Sequence, residues 1–192
     1  MATRNILKEG DSGLLKQSRT VTEFNKRLHI LLDDMRETLI EANGLGLAAP
    51  QVGVLRRVAL IVDTGIESGQ IEDEDTQDNE EQINQTNFIV SEQIIELINP
   101  EIVYEDGEQT GSEGCLSLPG VYGMVTRPET VLVRAQDRNG EAFEMEVSEL
   151  TARAVCHEVD HLNGVIFTSL AERILTEEEL AAMRAEHEAE ES

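Results

Sequence analysis

The 192-residue sequence predicts an α+β fold: a single domain in which a metal-binding helix packs against mostly antiparallel β-sheets, with another helix at the C-terminus. Three observations predict it. Strand-like runs fill the middle of the chain, between two long stretches of helical period. Asp137-Arg138-Asn139-Gly140 separates two of those runs, and an Asn-Gly pair in that setting signals an antiparallel hairpin. The second helical stretch carries His157-Glu158-Val159-Asp160-His161, two imidazoles four residues apart with a carboxylate directly after the first.

From the N-terminus onward, Thr20-Val21-Thr22-Glu23 has the form of a capping box that opens a helix. Phe24, Leu28, Leu31, Met35 and Leu39 then recur at helical spacing, and Asn43-Gly44 closes the pattern. Residues 44–53 form a glycine-rich loop containing Ala48, Ala49 and Pro50. Residues 57–63 predict a buried strand, and residues 94–99 and 101–104 predict two more, broken by Pro100, which lacks a ladder N–H. Residues 131–136 and 142–147 form the hairpin. Ser148 is placed to cap a second helix over 149–163, ended by Gly164. Thr176 with Glu179 forms another capping box, at the start of an acidic helix running to about Ala189.

Between the first strand and Ile94 lies a polar insertion, residues 64–86, with Glu72-Asp73-Glu74-Asp75 and Glu80-Glu81 and no Lys or Arg. Crowded like charges with few apolar neighbours predict a mobile surface loop. It lacks the glycine turn and terminal bidentate Glu of an EF-hand calcium loop. The domain division expected is a catalytic unit over residues 1–170 and an acidic helical tail over 171–192.

The formal charge of −24 argues against direct nucleic-acid binding, which needs Lys and Arg for phosphates, and against anionic membrane surfaces. Cys115 and Cys156 are too few for a disulfide framework. The N-terminus has no apolar signal core, and the apolar run Val58 to Val62 is far too short to span a bilayer. The expectation is a cytoplasmic protein with free thiols and no membrane partner.

On a helix, positions i and i+4 share a face, so His157 and His161 can reach one cation, with Glu158 beside a water at that cation. A catalytic site of this type takes three protein ligands. A third His in the longer protease pattern would fall at 167, which is Phe167. A downstream carboxylate could come from Glu172, Glu177, Glu178 or Glu179. Cys115, flanked by Gly111, Gly114 and Gly120, offers a thiolate where the backbone can bend closely around an ion. Cys156 adjoins His157 in the helix and points about 100° away from the two-histidine face. The residues alone leave these choices open, together with two other functions: an endopeptidase with a carboxylate ligand, or a non-catalytic metal site.

Three segments together resemble the peptide deformylase family of bacterial type: Gly44-Leu45-Gly46-Leu47-Ala48-Ala49-Pro50-Gln51, Glu113-Gly114-Cys115-Leu116-Ser117 and His157-Glu158-Val159-Asp160-His161-Leu162. The resemblance covers about residues 4 to 170. It implies a hydrolase that removes the N-formyl group from the initiator methionine of new peptides, releasing formate. It implies Cys115, His157 and His161 as metal ligands, and Glu158 as the carboxylate that moves protons while water activated by the ion attacks the formyl carbon. Gln51 and the Leu116 N–H would be oxyanion donors, with Gly46, Leu45 and Gly114 in the substrate site. One divalent ion is implied, Fe²⁺ in the cell, with Zn²⁺, Ni²⁺ or Co²⁺ able to replace it. Leu45, Ala154 and Val155 are candidate walls for a methionine side chain.

The family also suggests that Glu113 and Arg127 pair to hold the Cys115 segment, while helix geometry turns Asp160 away from the metal side. The partners implied are N-formylmethionyl nascent peptides and a transient ribosome contact. The acidic C-terminus argues against the family's docking mode through a basic extension, since rRNA would repel it. Many members have Gln where this chain has Cys156.

Overall fold

The computed structural model describes residues 2–65 and 93–190. The acidic loop expected over residues 64–86 lies outside these, apart from Thr64 and Gly65. In chain order the elements are α1 (Lys26–Ala42), β1 (Gly46–Ala48), β2 (Val58–Val62), β3 (Ile94–Asp106), β4 (Gln109–Cys115), β5 (Leu118–Arg127), β6 (Thr130–Gln136), β7 (Ala142–Ser148), α2 (Glu149–Leu162), β8 (Arg173–Ile174) and α3 (Glu177–Glu190), with short 3₁₀ turns between some of them. The strands form an antiparallel five-stranded sheet ordered β1-β2-β3-β6-β7 and an antiparallel three-stranded sheet ordered β4-β5-β8. The α+β expectation holds, C-terminal helix included. Among the described residues no helix is long and apolar enough to cross a membrane.

Strand β2 is buried along its whole length because helices cover both faces of the sheet. Val58, Leu60 and Val62 point to one side and join Leu28, Leu31, Met35 and Leu39 of α1. Ala59 and Ile61 point to the other and join Ala152, Val155 and Leu162 of α2. Leucines and valines at period two in the strand meet apolar residues at period 3.6 in each helix. The helix that carries both histidines is thereby fixed against a rigid sheet.

Several local expectations are corrected. The Thr20–Glu23 box does not open α1. Asn25 caps it instead, its side-chain oxygen accepting from the N–H groups of Arg27 and Leu28. Residues 19–21 are held extended, because Arg19 exchanges main-chain bonds with Leu55 and Arg57 and Val21 bonds the Asn99 side chain. At the other end Asn43 takes the left-handed conformation (φ 50°), as a helix-ending residue should.

Pro100 does not divide two strands. It lies in a bulge of β3, between Ile98 and Glu101, where no ladder N–H is needed. Asn99 takes the positive φ there (53°), and its amide bonds Val21 and Gln136. The hairpin turn is longer than an Asn-Gly pair: Gly140 N–H returns to the Asp137 carbonyl, and only Gly140 has positive φ. Ser148 sits at the N-cap of α2, but its hydroxyl bonds Thr130 Oγ1 instead of the helix. The Thr176–Glu179 box forms as expected.

The largest omission of the sequence reading is β4 and β5. Glycines at 111, 114, 120 and 123 erase the alternation that marks a strand, so this ribbon passes for a loop. Part of the 44–53 loop is likewise ordered, as β1 and a 3₁₀ turn over Ala49–Val52.

Candidate metal centre

Three elements meet at one point. Helix α2 supplies His157 and His161, both buried, with ring centroids 4.9 Å apart. β4 ends at Cys115, where the strand turns sharply into β5 and Cys115 pairs with Leu118. Cys115 Sγ lies 3.2 Å from His161 Nε2. One ligand atom from each of Cys115, His157 and His161 can be chosen so that all lie within 4.8 Å of one another. The third element is the turn after β1, which supplies Gln51. Its Nε2 approaches Cys115 Sγ at 3.5 Å and donates to Ser117 Oγ at 3.2 Å, while its Oε1 accepts from Ala48 N–H at 2.7 Å. That main-chain bond fixes which end of the amide faces the sulfur.

Glu158 is buried beside this group, with only 3 % of its surface exposed, and its Oε2 has no hydrogen-bond partner among the described residues. Burial pushes its carboxyl up to about 7. The backbone of Gly46 lies directly against it: a Cβ there would fall 2.3 Å from Glu158 Oε1. Glycine at 46 is therefore a steric requirement of the buried carboxylate. Gly114 has a similar reason, since a Cβ there would meet the Tyr122 ring at 2.6 Å. Leu116 follows Cys115 at the turn, and its carbonyl accepts from Lys8 Nζ at 2.8 Å.

The donor set suits a borderline-soft divalent cation, since thiolate and imidazole are what Zn²⁺ and Fe²⁺ accept. The tautomer fits as well. Glu113 Oε2 lies 3.0 Å from His157 Nδ1, so that nitrogen donates and Nε2 keeps its lone pair for a cation. Nδ1 of His161 is buried without a partner among the described residues. Burial holds the His161 imidazole down at about 3, so it stays neutral as a ligand must. For His157 burial also opposes the charge, but the Cys115 sulfur and the Glu113 carboxylate outweigh it and raise the ring to about 10. The same sulfur and carboxylate that raise the ring also favour a cation at this point.

Glu113 anchors the surroundings. Arg127 donates to it from Nε (2.8 Å) and Nη2 (3.0 Å), and Arg153 donates from Nη1 (3.0 Å). Burial raises the Glu113 carboxyl, but His157 and Arg127 outweigh that and hold it at about 2. Arg127 also reaches Asp160 at 2.6 Å. The expected Glu113–Arg127 pair is present, and Asp160 joins it through Arg127.

Of the other residues singled out in the sequence, Leu45, Gly46, Gln51, Gly114, Leu116 and Ala154 all line a cavity of about 680 Å³ that opens on His157 and Glu158. Val155 is not a wall of it; it is fully buried in the core between α2 and the large sheet. Cys156 lies in that same apolar cluster, its thiol pushed up to about 11 by burial. Phe167 packs 5.9 Å from the His157 ring. Glu172 bonds Thr126, and Glu179 bonds Thr176 and Arg173, so neither belongs to the three-donor group. Arg153 and Tyr122 went unnoticed in the sequence. Arg153 left one signal: a charged residue four positions before His157, on the face of the helix that also carries the two histidines.

Two imidazoles, a sulfur, a buried carboxylate and a fixed amide around one cavity are the groups of a metal-assisted amide hydrolase. The chain belongs to the polypeptide deformylase family, whose model matches residues 3–176. Its activity is that of the family, hydrolysis of the N-formyl group. It is 46 % identical over 93 % of its length to the peptide deformylase of Thermoanaerobacter pseudethanolicus, covering 96 % of that protein. It is 44 % identical to peptide deformylase 1 of Bacillus subtilis, over 95 % of this chain and 99 % of that one. The crystal structure of a peptide deformylase from Legionella pneumophila superposes with a TM-score of 0.72 at 35 % identity, covering 96 % of this chain and 92 % of that one.

Proposed function

We propose that this chain deformylates the N-terminal methionine of newly made proteins through one divalent ion held by Cys115, His157 and His161. The observation that carries this reading is the convergence of those three donors within 4.8 Å, beside a buried carboxylate. A bound ion would lower the pKa of water to about 7, making hydroxide available at neutral pH. The remaining work falls to the protein's own groups.

Glu158, with its carboxyl near 7, takes the proton from water and hands it to the departing nitrogen. Gln51 Nε2 and the Leu116 N–H donate to the formyl oxygen as charge gathers on it, each such donor being worth roughly 3–4 kcal/mol in related chemistry. Gly46 and Gly114 leave room for the substrate backbone, and Leu45 and Ala154 form apolar walls for the methionine thioether. The resemblance favours Fe²⁺ in the cell, with Zn²⁺, Ni²⁺ and Co²⁺ as replacements. Residues 1–170 form the catalytic unit and residues 171–192 an acidic appendage. The substrates are nascent formylated peptides in the bacterial cytoplasm, and a charge of −24 keeps the protein from binding RNA directly.

The test is an anaerobic formate-release assay on formyl-Met peptides, with and without a chelator. We expect formate release that the chelator abolishes and added metal restores. Release that is indifferent to full metal removal would contradict the reading.

A further inference from the structure

The two halves of the metal centre come from different layers of the fold. α2 packs on the five-stranded sheet, whereas Cys115 ends a strand of the three-stranded one. Among the described residues the buried apolar cluster beneath that smaller sheet is small: Leu118, Val125 and Phe167, with Cys115, Val121, Ile166 and Ala171 partly buried against it. Apolar packing of that size does not by itself hold a sulfur at bonding range of two imidazoles.

Arg153 spans this gap. It stands one turn before His157 on α2, with its side chain 8 % exposed. Its Nη1 donates to Val125 O (3.0 Å), Glu113 Oε1 (3.0 Å) and, more weakly, Gly111 O (3.4 Å), and its Nη2 donates to Gln109 O (3.2 Å). Three acceptors are main chain of β4 and β5, the hairpin that contains Cys115. The fourth is the carboxylate that orients His157. Gly111 makes room for the guanidinium, since a Cβ there would lie 3.1 Å from Arg153 Nη2 and 3.4 Å from Cζ.

We propose that Arg153 is a positioning residue for the cation site: it ties the histidine helix to the cysteine hairpin, and through Glu113 it sets the His157 ring before a cation arrives. The inference rests on reading Cys115, His157 and His161 as the ligand set. Stability alone does not call for a buried guanidinium, because an apolar residue of similar volume often serves a fold as well or better. A planar fork is needed here because it can bond several acceptors lying in different directions at once. A lysine ammonium is a single point charge and cannot span them.

The test uses the full chain loaded with Co²⁺. Affinity is read by chelator competition, and the sulfur ligand by the thiolate-to-cobalt charge-transfer band. We expect Arg153→Met and Arg153→Lys to lose about 10–100-fold in Co²⁺ affinity and to shift or weaken that band. Gly111→Ala, which crowds the guanidinium without removing it, should lose affinity by a smaller factor in the parent and by nothing further in Arg153→Met. Val155→Ala, a core truncation in the same helix, should lower Tm while affinity and band stay at the parent values.

Parent-level affinity and band in the Arg153 variants would overturn the proposal. So would a Val155→Ala protein that loses as much affinity as Arg153→Met. Should the Arg153 variants not fold, Gly111→Ala decides alone: a loss of affinity supports the proposal and no change overturns it. A parent protein with no thiolate band at all would refute the ligand set itself, and this inference with it.

Discussion

The buried core between the five-stranded sheet and its helices is apolar, with Leu60 and Ile98 on the α1 side and Ile61 and Leu97 on the α2 side, and ion pairs such as Arg36–Glu96 lie at its margin. The three-stranded sheet meets the same α2 through Glu113, Arg127, Arg153 and Asp160, all charged and tightly bonded to one another. Apolar contact is roughly proportional to area and has little direction, so it gives stability and tolerates small shifts. A bonded cluster of charges holds only when its atoms stand at set distances and angles, and it is expensive when broken. The difference teaches where this molecule spends stability and where it spends precision. The large sheet makes the scaffold, and the small one is pinned to it at the point where Cys115, His157 and His161 come together.

The largest effect expected is on turnover. Glu158→Ala should bind metal as the parent does but lose about 10²–10⁴ in rate, measured as formate release by metal-loaded protein. It should also unfold no more easily than the parent, because a buried carboxyl with an unpartnered oxygen is a cost to the fold. A fully active Glu158→Ala protein would remove that residue from the mechanism.

Breaking the charged joint comes next. Glu113→Ala leaves Arg127 and Arg153 buried around a missing acceptor, so urea unfolding should show a loss of about 3 kcal/mol or more. Metal affinity should fall with it. The pH dependence has a definite sign. The folded Glu113 carboxyl stands at about 2, below its ordinary 4.5, so its stabilising effect is present above that ordinary value and lost as pH falls toward 2. Acid titration of the parent should show this loss, and Glu113→Ala should not.

The apolar sheet offers the contrasting case. Leu97→Ala opens a cavity in a fully buried position and should cost about 2–5 kcal/mol. Metal affinity of the folded fraction should stay unchanged. If Leu97→Ala reduced affinity as much as Glu113→Ala does, the distinction between scaffold and joint would fail.

That same distinction explains what could be read from the residues alone. Leu28, Leu31, Met35 and Leu39 advertise their helix through spacing, and Val58 to Val62 advertise a strand covered on both faces. The His157–His161 pair is visible because helix periodicity places both on one face. Local capping signals were less reliable: Thr20–Glu23 has the right letters, but lateral bonds from Arg19 and Val21 keep it extended.

Of the charged joint, only the Glu113–Arg127 pair is suggested by the sequence, through the family resemblance and not through the residues' own pattern. Glu113, Arg127, Arg153 and Asp160 are scattered along the chain, and nothing in their spacing says that they pair. The strands that carry Glu113 and Arg127 are hidden too, because Gly111, Gly114 and Gly123 stand where alternating side chains would mark a ribbon. Those glycines are there to let Arg153, Tyr122 and Ala171 approach the backbone, a reason that only the folded chain reveals.

The central claim is that one sulfur and two ring nitrogens grip a single cation. X-ray absorption at the metal edge of the zinc-loaded protein measures this directly. The account predicts one sulfur at about 2.3 Å and two imidazole nitrogens at about 2.0–2.1 Å. A first shell of nitrogen and oxygen alone, with no sulfur, would contradict it.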